Sequence, residues 1–249
     1  MAPGPDWYAR PVLDVARDLL GTTLTRRAAD GVVSLRLTEV EAYDGVTDPG
    51  SHAYRGRNRR NGTMFGEPGR LYVYRHLGLH HCVNVVCGPE GMPAAVLLRA
   101  GEVLGAPESD GVRLARARRL ASGVVPSDRD LARGPARLAV ALGLDLSDDG
   151  ADVTDPDGEV VLRLQATAPL QLEPSRVEPP PAGPSLVGPS LVEPVETTPT
   201  PAVVRTGPRV GVSGDGGRAD LHPWRLWLDG EETVSTYRAA QPRRRRQAG

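Results

Sequence analysis

The chain has 249 residues, enough for one large domain or two small ones with a substantial core, and a formal net charge of −1. All 30 basic residues are arginine, so no side-chain amine is at hand for a Schiff base, and an imine mechanism would fall to the N-terminal amine alone. Cys82 and Cys87 are too few and too close for a disulfide framework. With no signal-like apolar segment at the N-terminus and no apolar run of membrane-spanning length, a cytoplasmic protein without membrane contact is expected.

In chain order, "RPVLDVARDLLG" places apolar residues at 12, 13, 15, 16, 19 and 20. That is one helical face, stopped at Gly21. Leu24 and then "VVSLRLTEVEAY" read as strands, and residues 44–69, with six glycines and two prolines, read as loop. "RLYVYRH" and "HHCVNVV" flank Leu77-Gly78-Leu79 as a β-hairpin, and "AAVLLRAGEV" reads as a buried strand. Residues 108–122 and 127–142 read as helices, the second opened by Ser127 and Asp130 and broken at Gly134-Pro135. "EVVLRLQ" and the alternating "PWRLWLDG" close the ordered part.

Residues 169–202 hold ten prolines and the near-repeat "GPSLV" then "GPSLVEPVE", a composition that cannot bury enough apolar surface to order itself. A disordered insertion is expected there, and a flexible arginine-rich tail over 239–249. The remainder, 7–168 with 203–238, is expected to form one domain.

Three groupings bear on chemistry. On a regular strand, Leu35, Leu37, Glu39, Glu41 and Tyr43 share a face that starts apolar and ends acidic beside an aromatic ring. Such a face suits a strand ending at a cleft; equally, the glutamates could meet solvent or pair with arginines at a sheet edge. On the hairpin, Tyr72, Tyr74 and His76 share one face, and His80, Cys82 and Asn84 share one on the return strand. Rings and an amide suit a planar heterocycle, or ordinary core packing. "YRGRNRRNG" carries Arg55, Arg57, Arg59 and Arg60 on a polar loop, as a phosphate-binding or merely solvated segment would. His80, Cys82 and Cys87 cannot share a face, so no metal site is expected.

Taken together, "EVEAY", a histidine eleven positions after Glu41, "RNRRNGTMF", "GRLYVY", "CVNVV", "AVLLRA" and "DLARGPARLAVALGL" resemble the alkyladenine (3-methyladenine) DNA glycosylase family. "PRVGV" and "PWRLWLDG" are similar to that family's closing strands, and the resemblance spans residues 11–165 and 203–238. It implies an α+β single domain with a curved, largely antiparallel sheet, flanking helices and a protruding hairpin that enters DNA. It also implies Glu41 as general base and Arg99 beside the nucleophilic water. Tyr43, His52 and Tyr74 would hold a flipped base, and Asn84 would disfavour guanine's exocyclic amine. At the hairpin tip, where the family's best-known member has a tyrosine, this chain has Leu77, an apolar wedge of the kind other minor-groove proteins use.

The implied reaction is hydrolysis of the N-glycosidic bond of 3-methyladenine, 7-methylguanine or hypoxanthine in duplex DNA. It needs no cofactor, would be carried out by a monomer, and would stop at an abasic site. The alternatives are a non-catalytic protein that binds damaged DNA, or a carbohydrate glycosidase using Glu39 and Glu41 as paired acids.

Overall fold

The computed structural model describes residues 1–123, 127–165, 171–174 and 202–240, the third of these as backbone only. Among the described residues ten strands form one sheet: β1 (Thr23–Ala28), β2 (Gly31–Tyr43), β3 (Leu71–His76), β4 (His80–Cys87), β5 (Ala94–Val103), β6 (Ala132–Arg133), β7 (Val160–Arg163), β8 (Gln171–Pro174), β9 (Val203–Gly207) and β10 (Arg225–Leu228). The main path runs β3-β4-β5-β2-β10-β9-β8, with β1 and then β7 leaving it from β2, and β6 added to β5. Every pairing is antiparallel except β8 with β9. The α+β class with a largely antiparallel sheet is as expected.

Helices α1 (Pro5–Tyr8), α2 (Val12–Leu19), α3 (Asp110–Ala121) and α4 (Pro135–Leu142) accompany the sheet. Helix α2 turns Val12, Val15, Ala16 and Leu19 inward, the face its apolar spacing dictates. Its four residues join Leu138, Ala139 and Leu142 of α4 and Ala115 of α3 in the main core, which covers one face of the sheet through Leu71, Val73, Val83, Val85, Val96 and Leu98. Burying each such leucine or valine stabilises the fold by about 1.5–3 kcal/mol. A smaller cluster on the opposite face, Ala53, Met64, Tyr72, Val86 and Ala95, seats the loop after β2. Helices therefore take one face and leave the other to loops.

The face assignment of β2 needs correction. Leu35 and Leu37 lie in the main core, yet so do Val40 and Ala42, so the strand changes which face it buries. The β2–β5 ladder shifts register twice, between Leu37 and Glu39 and between Glu39 and Val40, leaving Thr38 and Arg99 without partners. A residue inserted in a two-residue repeat turns every later side chain over. Glu39, Glu41 and Tyr43 thus face away from Leu35 and Leu37.

Three further expectations change. The single broken helix over 127–142 is a 3₁₀ turn at Asp128–Asp130, the strand β6 and then α4. Ala132 and Arg133 pair with Gly101 and Ala100, and Gly134 at φ 117° turns the chain from strand to helix. "PRVGV" follows β9 and is a turn rather than a strand, because the last sheet hydrogen bonds are taken by Val203–Gly207. Residues 171–174, inside the expected insertion, form β8 on the free edge of β9, where backbone pairing does not depend on an apolar side-chain set. Residues 169–170 and 175–201 of that insertion, and 241–249 of the arginine tail, lie outside the described residues.

Candidate nucleic-acid and catalytic site

Register aligns the site. Across five strands Tyr72 pairs with Asn84, Asn84 with Leu97, Leu97 with Glu41 and Glu41 with Arg225. These side chains form a row on the face the helices leave open, and Tyr74, paired with Cys82, sits one step along. Over this row lies a cavity of about 680 Å³, within the range of ligand sites. Glu41, Tyr43, His52, Tyr74, Asn84 and Arg99, the six residues expected in the base and water sites, all line it. Tyr72, Cys82 and the turn Val210–Ser213 complete much of the wall.

Glu41 has no exposed surface and is held from three sides. Its Oε1 accepts the Val210 amide at 2.7 Å and lies 3.4 Å from Arg99 Nη1, while Oε2 accepts the Tyr43 hydroxyl at 2.9 Å. A carboxylate offers about four lone-pair sites; three donors leave one on Oε2. Burial, reinforced by the Glu41 charge, pushes the Tyr43 phenol well above its ordinary range, so it remains a donor at neutral pH.

Glu39 does not line the cavity. Its Oε1 accepts from Arg99 Nε at 3.0 Å, Arg225 Nε at 2.6 Å and the Ser235 hydroxyl at 3.0 Å, and Oε2 accepts the Ser235 amide at 2.8 Å. A carboxylate so engaged is structural. Arg99, freed from the ladder by the bulge, bridges Glu39 and Glu41; burial opposes its charge, but the two carboxylates raise its pKa above the usual arginine value.

The aromatic walls meet edge to face, with the His52 and Tyr74 centroids 4.5 Å apart. His52 Nδ1 lies 3.1 Å from the Tyr72 hydroxyl. Burial, with the Arg60 and His76 charges, brings His52 down to about 4, so the ring is neutral at pH 7. Asn84 Nδ2 donates to the Tyr72 carbonyl at 2.9 Å, leaving Oδ1 without a hydrogen bond among the described residues.

Arg55, Arg57, Arg59 and Arg60 are exposed on one loop, which the buried Asn61 closes. Asn61 Nδ2 donates to the His52 and Gly56 carbonyls at 2.9 and 3.0 Å, and Oδ1 accepts the Asn58 amide at 2.7 Å. The guanidinium of Arg60 stands 4.8 Å from the Tyr74 centroid and that of Arg57 5.8 Å from Phe65. At the hairpin tip Leu77 is 81% exposed at φ 50°, followed by Gly78 at φ 71° and Leu79, 75% exposed. Its neighbour His76 lines the cavity, so the tip stands at the rim.

Sequence reasoning missed Asn61, Asp48, Arg209 and the Val210 amide. Asn61 and Arg209 lie inside quoted segments, but only their burial distinguishes them; Asp48 carries no local signal at all. Among the described residues no group of three or more His, Cys, Asp and Glu side chains is placed to hold a metal, and no helix is long and apolar enough to cross a membrane.

The family model described as methylpurine-DNA glycosylase matches residues 6–179. A protein of Streptomyces avermitilis named "Putative 3-methyladenine DNA glycosylase" is 51% identical over 242 residues, covering 97% of this chain and 94% of its own. Proteins of the same name from Leifsonia xyli and Mycobacterium tuberculosis are 47% and 42% identical, over 95% and 90% of this chain and 92% and 88% of theirs. The residues that meet at the cavity are those by which the sequence resembles such enzymes, and with a family match over most of its length the chain belongs to the methylpurine-DNA glycosylase family.

Proposed function

We propose that the protein is a monofunctional DNA glycosylase that frees alkylated or deaminated purines, 3-methyladenine, 7-methylguanine and hypoxanthine, from duplex DNA in the cytoplasm, acting as a monomer. The observation that carries this reading is the convergence of Glu41, Arg99, Asn84 and three aromatic rings on one cavity beside an arginine loop and an apolar hairpin tip.

A base inside a duplex must be extruded first, at a cost of a few kcal/mol. Leu77 fills the vacated stack, and burying a leucine offsets about 1.5–3 kcal/mol of that cost. Arg55, Arg57, Arg59 and Arg60 hold phosphates of the bent backbone. Next to the base cavity, a second cavity of about 410 Å³ is lined by Arg133 and Arg137, both paired with Asp130, and by Arg238. The flipped purine lies between Tyr43 and the His52–Tyr74 pair, with Asn84 at its edge; since the Asn84 nitrogen is already committed to Tyr72, it is the bulk of the amide that disfavours, without excluding, a guanine amine.

Water enters at the fourth lone pair of Glu41, positioned by Arg99. Its oxygen bonds to the anomeric carbon, its proton passes to Glu41, and the carbon–nitrogen bond breaks with its electrons leaving on the purine. A cationic 3-methyladenine becomes neutral as it departs, whereas hypoxanthine must gain a proton. With no lysine in the chain, strand nicking through a side-chain imine does not follow.

The test is incubation with duplexes containing hypoxanthine or 3-methyladenine, followed by alkali to reveal abasic sites. Release without strand cleavage supports the proposal; no release from any lesion ends it. The complete burial of Glu41 favours one second reading, a non-catalytic damaged-DNA-binding protein, whose signature is lesion-selective binding without release. Replacing Arg55 and Arg59 by glutamine separates phosphate contact from mere solvation. The salt dependence, log K against log salt, loses about 0.9 in slope for each contact removed.

A further inference from the structure

Asp48 and Arg209 form a buried ion pair that the mechanism above leaves unused. Both side chains are wholly inaccessible, and they lie on loops 161 residues apart. The guanidinium forks onto the carboxylate, Nη1 to Oδ2 at 2.5 Å and Nη2 to Oδ1 at 2.7 Å. Nη1 also donates to the Ala42 carbonyl at 2.8 Å, and Nε and Nη2 donate to the Gly216 carbonyl at 3.1 and 2.6 Å. All five N–H donors of the arginine are thereby spent. The plane lies between two rings, 4.5 Å from the Tyr43 centroid and 5.3 Å from that of Trp224. Asp48 in turn accepts the Gly50 amide at 2.8 Å, and a Cβ on Gly50 would come within 2.5 Å of Arg209 Nη2.

A buried ion pair is weak evidence of stabilisation, because desolvation offsets much of the attraction. What a fully committed guanidinium does supply is a single geometry. Here that geometry touches both halves of the site. Arg209 backs the Tyr43 ring, grips the carbonyl of Ala42 between Glu41 and Tyr43, and precedes Val210, whose amide holds Glu41 Oε1. Nothing in the pair faces the cavity, so it does not touch a substrate.

We infer that Asp48 and Arg209 are positioning residues that lock the Tyr43 ring and the Glu41 carboxylate into one alignment, so that base slot and general base are set together. The inference rests on the proposed role of Glu41.

Single-turnover release of hypoxanthine or 3-methyladenine, measured at saturating protein, tests it. Asp48→Leu with Arg209→Met removes both charges at once and avoids stranding one of them in the interior. Arg209→Lys keeps a cation on Asp48 without the fork or the stack. The double variant is expected to bind a duplex carrying a stable abasic analogue within about threefold of the parent. Its release rate per bound duplex should be at least about tenfold lower, with Arg209→Lys lowered less but by more than about threefold. A purely structural pair would lower the melting temperature and the number of binding-competent molecules, yet leave the rate of each bound molecule unchanged. Release within about threefold of the parent, in either the double variant or Arg209→Lys, overturns the inference. Should the double variant fail to fold, Arg209→Lys decides alone by the same criterion. A parent protein that frees neither purine overturns the glycosylase reading and this inference with it, an outcome distinct from a slow variant of an active parent.

Discussion

Glu41→Gln is the most informative single perturbation. The structure allows the amide to sit where the carboxylate does: its oxygen can accept from the Val210 amide and face Arg99, while its NH₂ donates to the Tyr43 hydroxyl, which accepts as readily as it donates. What is lost is charge. Arg99 keeps Glu39 at 3.0 Å, so its guanidinium is not left unpaired. Replacing a charged hydrogen-bond partner by a neutral one costs about 1–3 kcal/mol, less than the about 5–15 kcal/mol of a typical domain. The variant is therefore expected to fold. Loss of a general base costs about 10²–10⁴ in rate, about 2.7–5.4 kcal/mol of barrier. The assay is single-turnover cleavage, after alkali treatment, of an end-labelled duplex bearing hypoxanthine, alongside equilibrium binding of the same duplex. The expected result is release reduced by at least about a hundredfold with binding within about threefold. Release within about threefold of the parent would refute the assignment of Glu41 as the base, and so would loss of binding equal to the loss of rate.

Two other predictions come from the rim of the cavity. Leu77 occupies a left-handed backbone region at φ 50°, which costs a non-glycine residue about 1–2 kcal/mol. Leu77→Gly relieves that strain at an entropic cost of about 0.5–1 kcal/mol, so the melting temperature should hold or rise while lesion-duplex affinity falls about tenfold; a wedge-less variant that binds as tightly as the parent excludes intercalation. His52 titrates near 4 in the folded chain, below the usual histidine value of 6.5, chiefly because burial disfavours the cation. The folded state then binds fewer protons than the unfolded state, so this contribution is intact above about pH 6.5 and is lost progressively as pH falls toward 4. Denaturation midpoints at pH 7.5 and pH 5.5 should fall further for the parent than for His52→Gln, and equal losses would count against a neutral ring in the site.

Much of the site was legible in the sequence because it is built from strands, whose two-residue repeat is a local property. Tyr72, Tyr74 and Asn84 share a face for the reason the alternation states, and the hairpin that presents Leu77 follows from two apolar runs around a glycine-containing turn. The same rule misled at Leu35 and Leu37. The double register shift that turns Glu41 and Tyr43 to the cavity, and Glu39 to the same side of the sheet, depends on how β2 meets β5, and no property of β2 alone encodes it.

The sequence by itself determined the chemistry on offer: carboxylates, rings, an amide and arginines in an order that resembles one enzyme family, and no lysine for an imine. The resemblance already pointed to Glu41, but only the tertiary structure shows why: Glu41 borders the cavity, whereas Glu39 is walled in by Arg99, Arg225 and Ser235. The tertiary structure also decided that a turn 169 residues downstream supplies the amide that holds Glu41, and that Arg209, hidden in what reads as a closing strand, backs the Tyr43 ring. The physical reason is one of range. Side-chain alternation and turn residues act between neighbours along the chain, whereas burial, ion pairing and stacking are fixed only when distant segments meet.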